Sequence, residues 1–328
     1  MTEPPSTHPF VVARDRGSGL DRLRGAVVAI GNFDGVHLGH QAVIQAAVDR
    51  ARAMHRPAAA LTFEPHPRSF FHPDAPSFRL TSEVAKLRLL AATGLDGAVV
   101  LTFDAALASQ TAEQFVSDIL VDRLAIKGAA IGFNFHFGRA RRGSPDFLEA
   151  QGHVQGFAVD IVPPFQLHGR RVSSGAIRDA LSAGRVAEAA ELLGHPYFVT
   201  AQVVHGDKRG RELGYPTANL QLPPDCGLKH GIYAVRVGVG GIRYGGVASF
   251  GRRPMFDSGT VLLEVFLFDF TGDLYGAALD VAFIAWIRPE MNFENVEELI
   301  RRMDDDSRHA RTALARAPDA FPPLGIPA

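Results

Sequence analysis

Two histidines three residues apart, His37 and His40, follow a glycine-rich run in Ile30–Gly31–Asn32–Phe33–Asp34–Gly35–Val36–His37–Leu38–Gly39–His40. An apolar strand pattern ends at Ile30, and a helical pattern begins near Gly39. Residues three apart on a helix share a face, so both imidazoles can face one side of the first turn. Glycines at 31, 35 and 39 let backbone approach a ligand closely. A helix N-terminus with free N–H groups attracts phosphate. Two imidazoles beside it can donate hydrogen bonds to charge developing on a transferring phosphoryl group. One such histidine is ordinarily a structural helix-start residue; the spaced pair after a glycine-rich strand end is what favours chemistry. The chain contains no G-x-x-x-x-G-K-[ST], which excludes a P-loop. The H-x-x-H lacks the E-x-x-H context and the cysteine partners of a zinc site.

A second concentration lies at Gly206–Asp207–Lys208–Arg209–Gly210–Arg211–Glu212–Leu213–Gly214–Tyr215–Pro216–Thr217–Ala218–Asn219. Glycines and cations together suit a loop that covers phosphates. In the extended run after Pro216, Thr217 and Asn219 point to one face. A hydroxyl and an amide carbonyl are hard oxygen ligands, suited to Mg²⁺ that also keeps waters and ATP phosphates. A solvated basic turn leading into a strand is the alternative. In Val261–Phe268 (V-L-L-E-V-F-L-F), Glu264 shares a face with Leu262, Phe266 and Phe268. A carboxylate among such neighbours needs a partner or a purpose. Taking a proton from an attacking hydroxyl is one purpose; guarding an edge strand is the alternative.

Two kinds of element must position these groups. From Ala26 to about Leu193, short apolar runs (Ala26–Ile30, Ala58–Phe63, Ala98–Phe103, Ala129–Phe133, Phe157–Val162) alternate with helical stretches near Gly39–Met54, Ser82–Thr93, Ala112–Leu124 and Pro145–Gln155. That alternation predicts βαβ units and a parallel sheet, with ligands at the carboxyl ends of the strands. Helices near Gly175–Ala183 and Val186–Leu193 follow. After Gly194–His195–Pro196, strand-like runs succeed one another: Phe198–Val204, Ile232–Val239, Arg243–Phe250, Val261–Phe268 and Leu279–Trp286. Short turns between them predict an antiparallel barrel or sandwich, closed by a helix near Asn295–Asp304. The expected domains are 20–193 and 194–315, with the first ~20 residues frayed.

The 328 residues are 46% hydrophobic and 21% charged, enough apolar material for two cores. Lys+Arg (34) and Asp+Glu (35) leave a net charge of −1, which argues against a globally basic nucleic-acid surface. Arg139, Arg141 and Arg142 make only a small basic cluster. The four lysines are set down to compositional drift. The single cysteine, Cys226, excludes an internal disulfide framework. No apolar run approaches a membrane span, and no secretory signal is visible, so the expectation is a cytoplasmic protein acting on small molecules. Oligomeric state is not legible.

G-N-F-D-G-V-H-L-G-H resembles the opening motif of bacterial bifunctional riboflavin kinase/FAD synthetases, and contains the H-x-G-H signature of adenylyl/cytidylyl transferases. Three further segments resemble that family: Thr62–Phe63–Glu64–Pro65–His66–Pro67–Arg68, Ile131–Gly132–Phe133–Asn134–Phe135–His136–Phe137–Gly138, and Arg171–Val172–Ser173–Ser174–Gly175–Ala176–Ile177–Arg178. All four sit where loops leave the carboxyl ends of predicted strands. In the second half, G-x-x-x-G-R-E-L-G-Y-P-T-A-N, Gly231–Ala234, Leu263–Val265, Asp273–Gly276 and Ile287–Glu290 are similar to the riboflavin kinase module in its usual order. The resemblance spans roughly residues 25–308.

It implies a Rossmann-like nucleotidyltransferase domain followed by a β-barrel riboflavin kinase domain. It implies two reactions: ATP phosphorylates riboflavin to FMN, and a second ATP adenylylates FMN to FAD with release of pyrophosphate. His37, His40, Asn134 and Arg178 would stabilise charge on the phosphates in the second reaction. Gly31, Asn32, Phe33, Asp34, Gly39, Arg171 and Ser174 would bind nucleotide. Glu264 would activate the riboflavin hydroxyl, Gly210, Arg211 and Gly214 would cover the kinase ATP, and Thr217 and Asn219 would meet Mg–ATP. The chain departs from the family pattern at Gly175, usually Thr; at Arg253, often Asn; at Met255, where Pro-Thr is usual; and at Phe266, where His is frequent. Competing readings are a nucleotidyltransferase with another acceptor and a merely binding barrel, and a non-catalytic flavin or nucleotide regulator.

Overall fold

A computed structural model describes residues 9–15, 17, 19–74, 78–205, 214–252 and 261–327. The chain packs as two compact units. One comprises the described parts of Met1–Ser77, Glu83–Ser173 and Pro323–Ala328; the other comprises Phe78–Ser82 and the described parts of Ser174–Pro322. The helices Ser174–Ser182 and Val186–Leu193 therefore belong by packing to the second unit, whereas the sequence pattern groups them with the first.

The first unit is a parallel sheet of β1 (Val11–Arg14), β2 (Val27–Ile30), β3 (Ala58–Glu64), β4 (Gly97–Thr102), β5 (Gly128–Gly132) and β6 (Ala158–Val162), in the order β1-β4-β3-β2-β5-β6. Every residue of β2 is buried, as are the first six of β3. A strand covered on both faces can be a continuous apolar run, which is why these were legible. The expectation of a frayed N-terminus is corrected at Val11–Arg14. There Val11 and Ala13 are buried, and the strand pairs with Gly97–Val100. Three short helices, Leu20–Leu23, Pro67–Phe71 and Ala105–Ser109, were not foreseen, being too short to show a helical period. Two two-residue strands, β7 (Gln166–Leu167) and β8 (Arg170–Arg171), form a small hairpin.

The second unit is a closed antiparallel barrel. Its strands are β9 (Phe198–Val204), β10 (Thr217–Leu222), β11 (Gly231–Val239), β12 (Ile242–Arg252), β13 (Val261–Leu267) and β14 (Ala278–Arg288), ordered β10-β13-β12-β11-β14-β9. Closure comes from β9 pairing with both β10 and β14. Burial alternates along β13, with Val261, Leu263, Val265 and Leu267 inside. Glu264 therefore lies on the other, half-buried face. The closing helix is longer than the sequence pattern suggested, running Val296–Ala315 from an Asn295 cap. Its Ala310, Ala313 and Leu314 pack on Ala234, Val247, Phe266, Phe268 and Ala285, covering one end of that outer face.

Candidate active site

In the first unit the chain runs outward from β2 through β3 to β4, and in the opposite direction from β5 to β6. Strands β2 and β5 are neighbours, so the loops leaving their carboxyl ends flank a topological switch point, where open α/β sheets bind ligands. The first loop carries Gly31 to His37; the second carries Phe133 to Gly138.

His37 caps the helix Leu38–Ala53: its Nδ1 accepts the His40 backbone N–H at 3.2 Å. With Nδ1 an acceptor, the His37 ring carries its proton on Nε2. The two imidazoles stack, with centroids 3.6 Å apart and planes 13° apart. Burial, then His37, then Lys86 hold His40 well below the ordinary histidine value, so its ring is neutral at pH 7. Its buried Nδ1 has no hydrogen-bond partner among the described residues. The neutral His40 ring and the His37 ring stacked on it are placed to donate hydrogen bonds to phosphate.

Of the residues expected to bind nucleotide, Phe33 is buried and meets His40 edge-on at 5.4 Å, so it supports the imidazole from below. A Cβ on Gly31 would stand 3.2 Å from the Phe33 ring, and one on Gly39 would stand 3.1 Å from His37 Cε1. Both glycines are thus spaces kept for rings. Asp34 is buried. The Asn32 carbonyl accepts from the Thr62 hydroxyl at 3.3 Å. Asn134 is exposed after β5, and its carbonyl accepts from His136 Nδ1 at 3.0 Å. Of the alternating phenylalanines, Phe137 is core, Phe135 packs partly against it, and Phe133 is exposed beneath the Arg171 guanidinium, 4.7 Å from its ring centroid. Ser174 and Arg178 lie in the second unit, on the helix Ser174–Ser182, where Arg178 Nε donates to the Phe78 carbonyl.

Lys86, set aside in the sequence as drift, is 1% exposed. Its ammonium meets Glu64 at 2.7 Å and the Thr62 hydroxyl at 3.1 Å. The signal was visible: Lys86 stands three and four residues before Leu89 and Leu90, on the buried side of Glu83–Leu90. A cation on an apolar stripe needs a partner.

In the barrel, the register sets Asn219 directly opposite Glu264, and Thr217 opposite Phe266. Ser249 opposes Glu264 from the other side. Cross-strand partners project from one face, so Thr217, Asn219, Glu264 and Ser249 line one patch. Asn219 is buried, and its Oδ1 has no hydrogen-bond partner among the described residues. Glu290 reaches the same face, its carboxylate filling the space beside Gly251 and its Oε2 3.9 Å from His230 Nδ1. Burial raises its pKa, with Glu264 adding to the rise and His230 opposing it. Phe266 meets Tyr215 at a tilt, with ring centroids 4.8 Å apart, and joins the apolar cluster under the closing helix, so this departure from the family pattern is absorbed by packing. Gly214 is exposed with φ 81°, a conformation glycine adopts freely. Gly210, Arg211, Arg253 and Met255 lie outside the described residues.

A family model described as FAD synthetase matches residues 20–176, and one described as riboflavin kinase matches 193–314. The bifunctional riboflavin kinase/FMN adenylyltransferase of Escherichia coli K12 is 40% identical over 288 residues, 88% of this chain and 92% of the relative. That of Pseudomonas fluorescens is 42% identical over 297 residues, covering 89% and 94%. The chain belongs to the bifunctional riboflavin kinase/FMN adenylyltransferase family. A solved structure described as a macrolide-efflux protein from Streptococcus pneumoniae shares its fold, with a TM-score of 0.80, 30% identity, and coverage of 92% of this chain and 99% of that one. Among the described residues of this riboflavin kinase/FMN adenylyltransferase family member, no helix is long and apolar enough to cross a membrane.

Proposed function

We propose that this chain makes FMN and then FAD at two separate sites, one per unit. In the barrel, Glu264 takes the proton of a riboflavin ribityl hydroxyl as that oxygen attacks the γ-phosphorus of ATP; the bond to the bridging oxygen breaks and ADP leaves. Asn219 and Ser249 flank the carboxylate and fix where the hydroxyl can approach. Thr217 and Asn219 would hold Mg²⁺, which when bound neutralises charge on the ATP phosphates. The orphaned, buried Asn219 Oδ1 fits that role, because a buried acceptor left unpaired costs about 1–3 kcal/mol.

In the α/β unit, an FMN phosphate oxygen attacks the α-phosphorus of a second ATP, and the bond to pyrophosphate breaks. His37 and His40 donate hydrogen bonds to the phosphates, Asn134 adds an exposed amide from the neighbouring loop, and no covalent enzyme intermediate is needed. Arg171 over Phe133 offers a flat cationic surface beside that loop. Arg178→Ala tests the phosphate role that its motif implies: loss of FAD formation with FMN formation kept would support it. The partners are small molecules rather than nucleic acid, in the cytoplasm where ATP is supplied.

The observation that carries the reading is the Asn219–Glu264 pairing in one unit and the stacked His37–His40 pair in the other. Incubation with riboflavin, ATP and Mg²⁺, with products resolved over time, tests it. FMN appearing first and FAD following supports both sites; FMN alone would point to Gly175; neither product would favour a binding protein.

A further inference from the structure

We infer that Lys86 is a positioning residue for adenylyl transfer, clamping the carboxyl ends of β2 and β3 beneath the His37–His40 pair through the Asn32 carbonyl, the Thr62 hydroxyl and the Glu64 carboxylate. The inference rests on the reading of that pair as the adenylyl-transfer site.

The ammonium is within 2.7 Å of Glu64 Oε1 and 3.1 Å of Thr62 Oγ1, and 3.5 Å from both the Asn32 and Phe63 carbonyls. Thr62 passes the contact on, since its hydroxyl accepts from Lys86 and donates to the Asn32 carbonyl at 3.3 Å. Asn32 stands between the end of β2 and His37, so its carbonyl is the point where the histidine loop is tied down. Gly31 N–H to the Leu61 carbonyl at 3.1 Å continues the sheet ladder to just before it. Beyond it, the Gln41 side chain donates to the Val36 carbonyl at 2.9 Å and holds the far side of the loop. Lys86 and Glu64 are respectively 1% and 10% exposed, too dry for an ion pair kept merely for solubility. A buried pair is a poor source of net stability, but removing one partner strands the other. Such a pair is better suited to fixing geometry. The geometry it fixes is that of the loop carrying both imidazoles. The same charge lies close enough to disfavour protonation of His40.

The test uses the full chain and three changes: Lys86→Met with Glu64→Gln, Thr62→Val, and His40→Asn. The double change removes both charges together, so no lone buried charge is left. Circular dichroism and the melting temperature report whether each variant is folded, and FMN formation from riboflavin reports separately that the barrel is intact. The expected result is at least a tenfold fall in kcat for FAD formation from supplied FMN in the double variant. KM values should stay within about threefold, and FMN formation should be unchanged. Thr62→Val gives a smaller fall of the same kind. By NMR, the His40 imidazole of the double variant should titrate nearer the ordinary histidine value, a change that a merely structural role would not produce. If both the double variant and Thr62→Val keep kcat within twofold and the His40 titration does not move, while His40→Asn abolishes FAD formation, Lys86 is not a positioning residue. If His40→Asn itself leaves FAD formation intact, the reading of the site fails and the inference falls with it.

Discussion

Asn219 and Glu264 face each other across the β10–β13 ladder, a buried amide opposite a half-buried carboxylate, with Ser249 on the carboxylate's other side. The pairing fixes two polar groups of different chemistry on the outer face of the barrel, opposite the apolar face that β13 turns inward. Among the described residues the buried Asn219 Oδ1 has no hydrogen-bond partner, an arrangement that favours a ligand role over a packing role.

Asn219→Ala should therefore separate stability from function. It removes an unpaired buried acceptor together with one long contact, Nδ2 to the Thr217 carbonyl at 3.5 Å. Stability of the ligand-free protein should change by no more than about 1 kcal/mol. The Mg²⁺ concentration that half-saturates riboflavin phosphorylation should rise about 10- to 100-fold, the scale typical of disturbed metal sites. Denaturation without ligand and a Mg²⁺ titration of FMN formation check the two halves. A large loss of stability with unchanged Mg²⁺ dependence would assign Asn219 to packing.

Gly39→Ala should act in the same divided way on the other unit. Alanine favours the helix by up to about 1 kcal/mol relative to glycine, so the fold should not suffer. The added Cβ would stand 3.1 Å from His37 Cε1 and push that ring by a few tenths of an ångström. Because a misplacement of about 1 Å can cost about 10²-fold, FAD formation should fall by about tenfold, with FMN formation intact. Steady-state kinetics of each step, with the melting temperature, decide this.

The neutral state of His40 sets a pH dependence. Its folded pKa lies well below 6.5, so between that folded value and 6.5 the unfolded chain binds a proton that the folded chain does not. Stability contributed by this group is complete above 6.5 and is lost as pH falls below it, by at most about 1.4 kcal/mol per pH unit. His40→Asn should remove that part of the acid slope, while neutral-pH stability barely responds to pH in either protein. Denaturation curves at pH 7.5, 6.0 and 5.0 for both proteins measure the difference, and an NMR titration of the imidazole gives the direction independently.

Most of the framework was legible because apolar runs buried on both faces, such as Val27–Ile30, cannot be mistaken for solvated segments. Five of the six barrel strands were legible as strand-like runs, and in β13 the alternation appears directly as alternating burial; β10 was read only as an extended run after Pro216. The strand Val11–Arg14 was missed because four residues ahead of a glycine-containing stretch look like a frayed end until the partner Gly97–Val100 is known. His37, His40 and Glu264 were singled out as candidates by type and spacing. The face-to-face stack of the imidazoles could not, since it depends on ring rotation and on the space left by Gly39. The register that sets Asn219 against Glu264 joins residues 45 positions apart and is fixed by barrel closure rather than by local pattern. Lys86 was missed because a lysine among leucines was weighed by composition, not by the face it occupies.

The most direct measurement is a crossed pair of variants, Glu264→Gln and His40→Asn, each assayed for FMN formation from riboflavin and for FAD formation from supplied FMN. Loss of a general base typically costs about 10²–10⁴-fold. Glu264→Gln should lose FMN formation on that scale and keep FAD formation, whereas His40→Asn should do the reverse and accumulate FMN. If either single change abolishes both reactions in a folded protein, or if neither change separates them, the two activities do not reside in two independent sites.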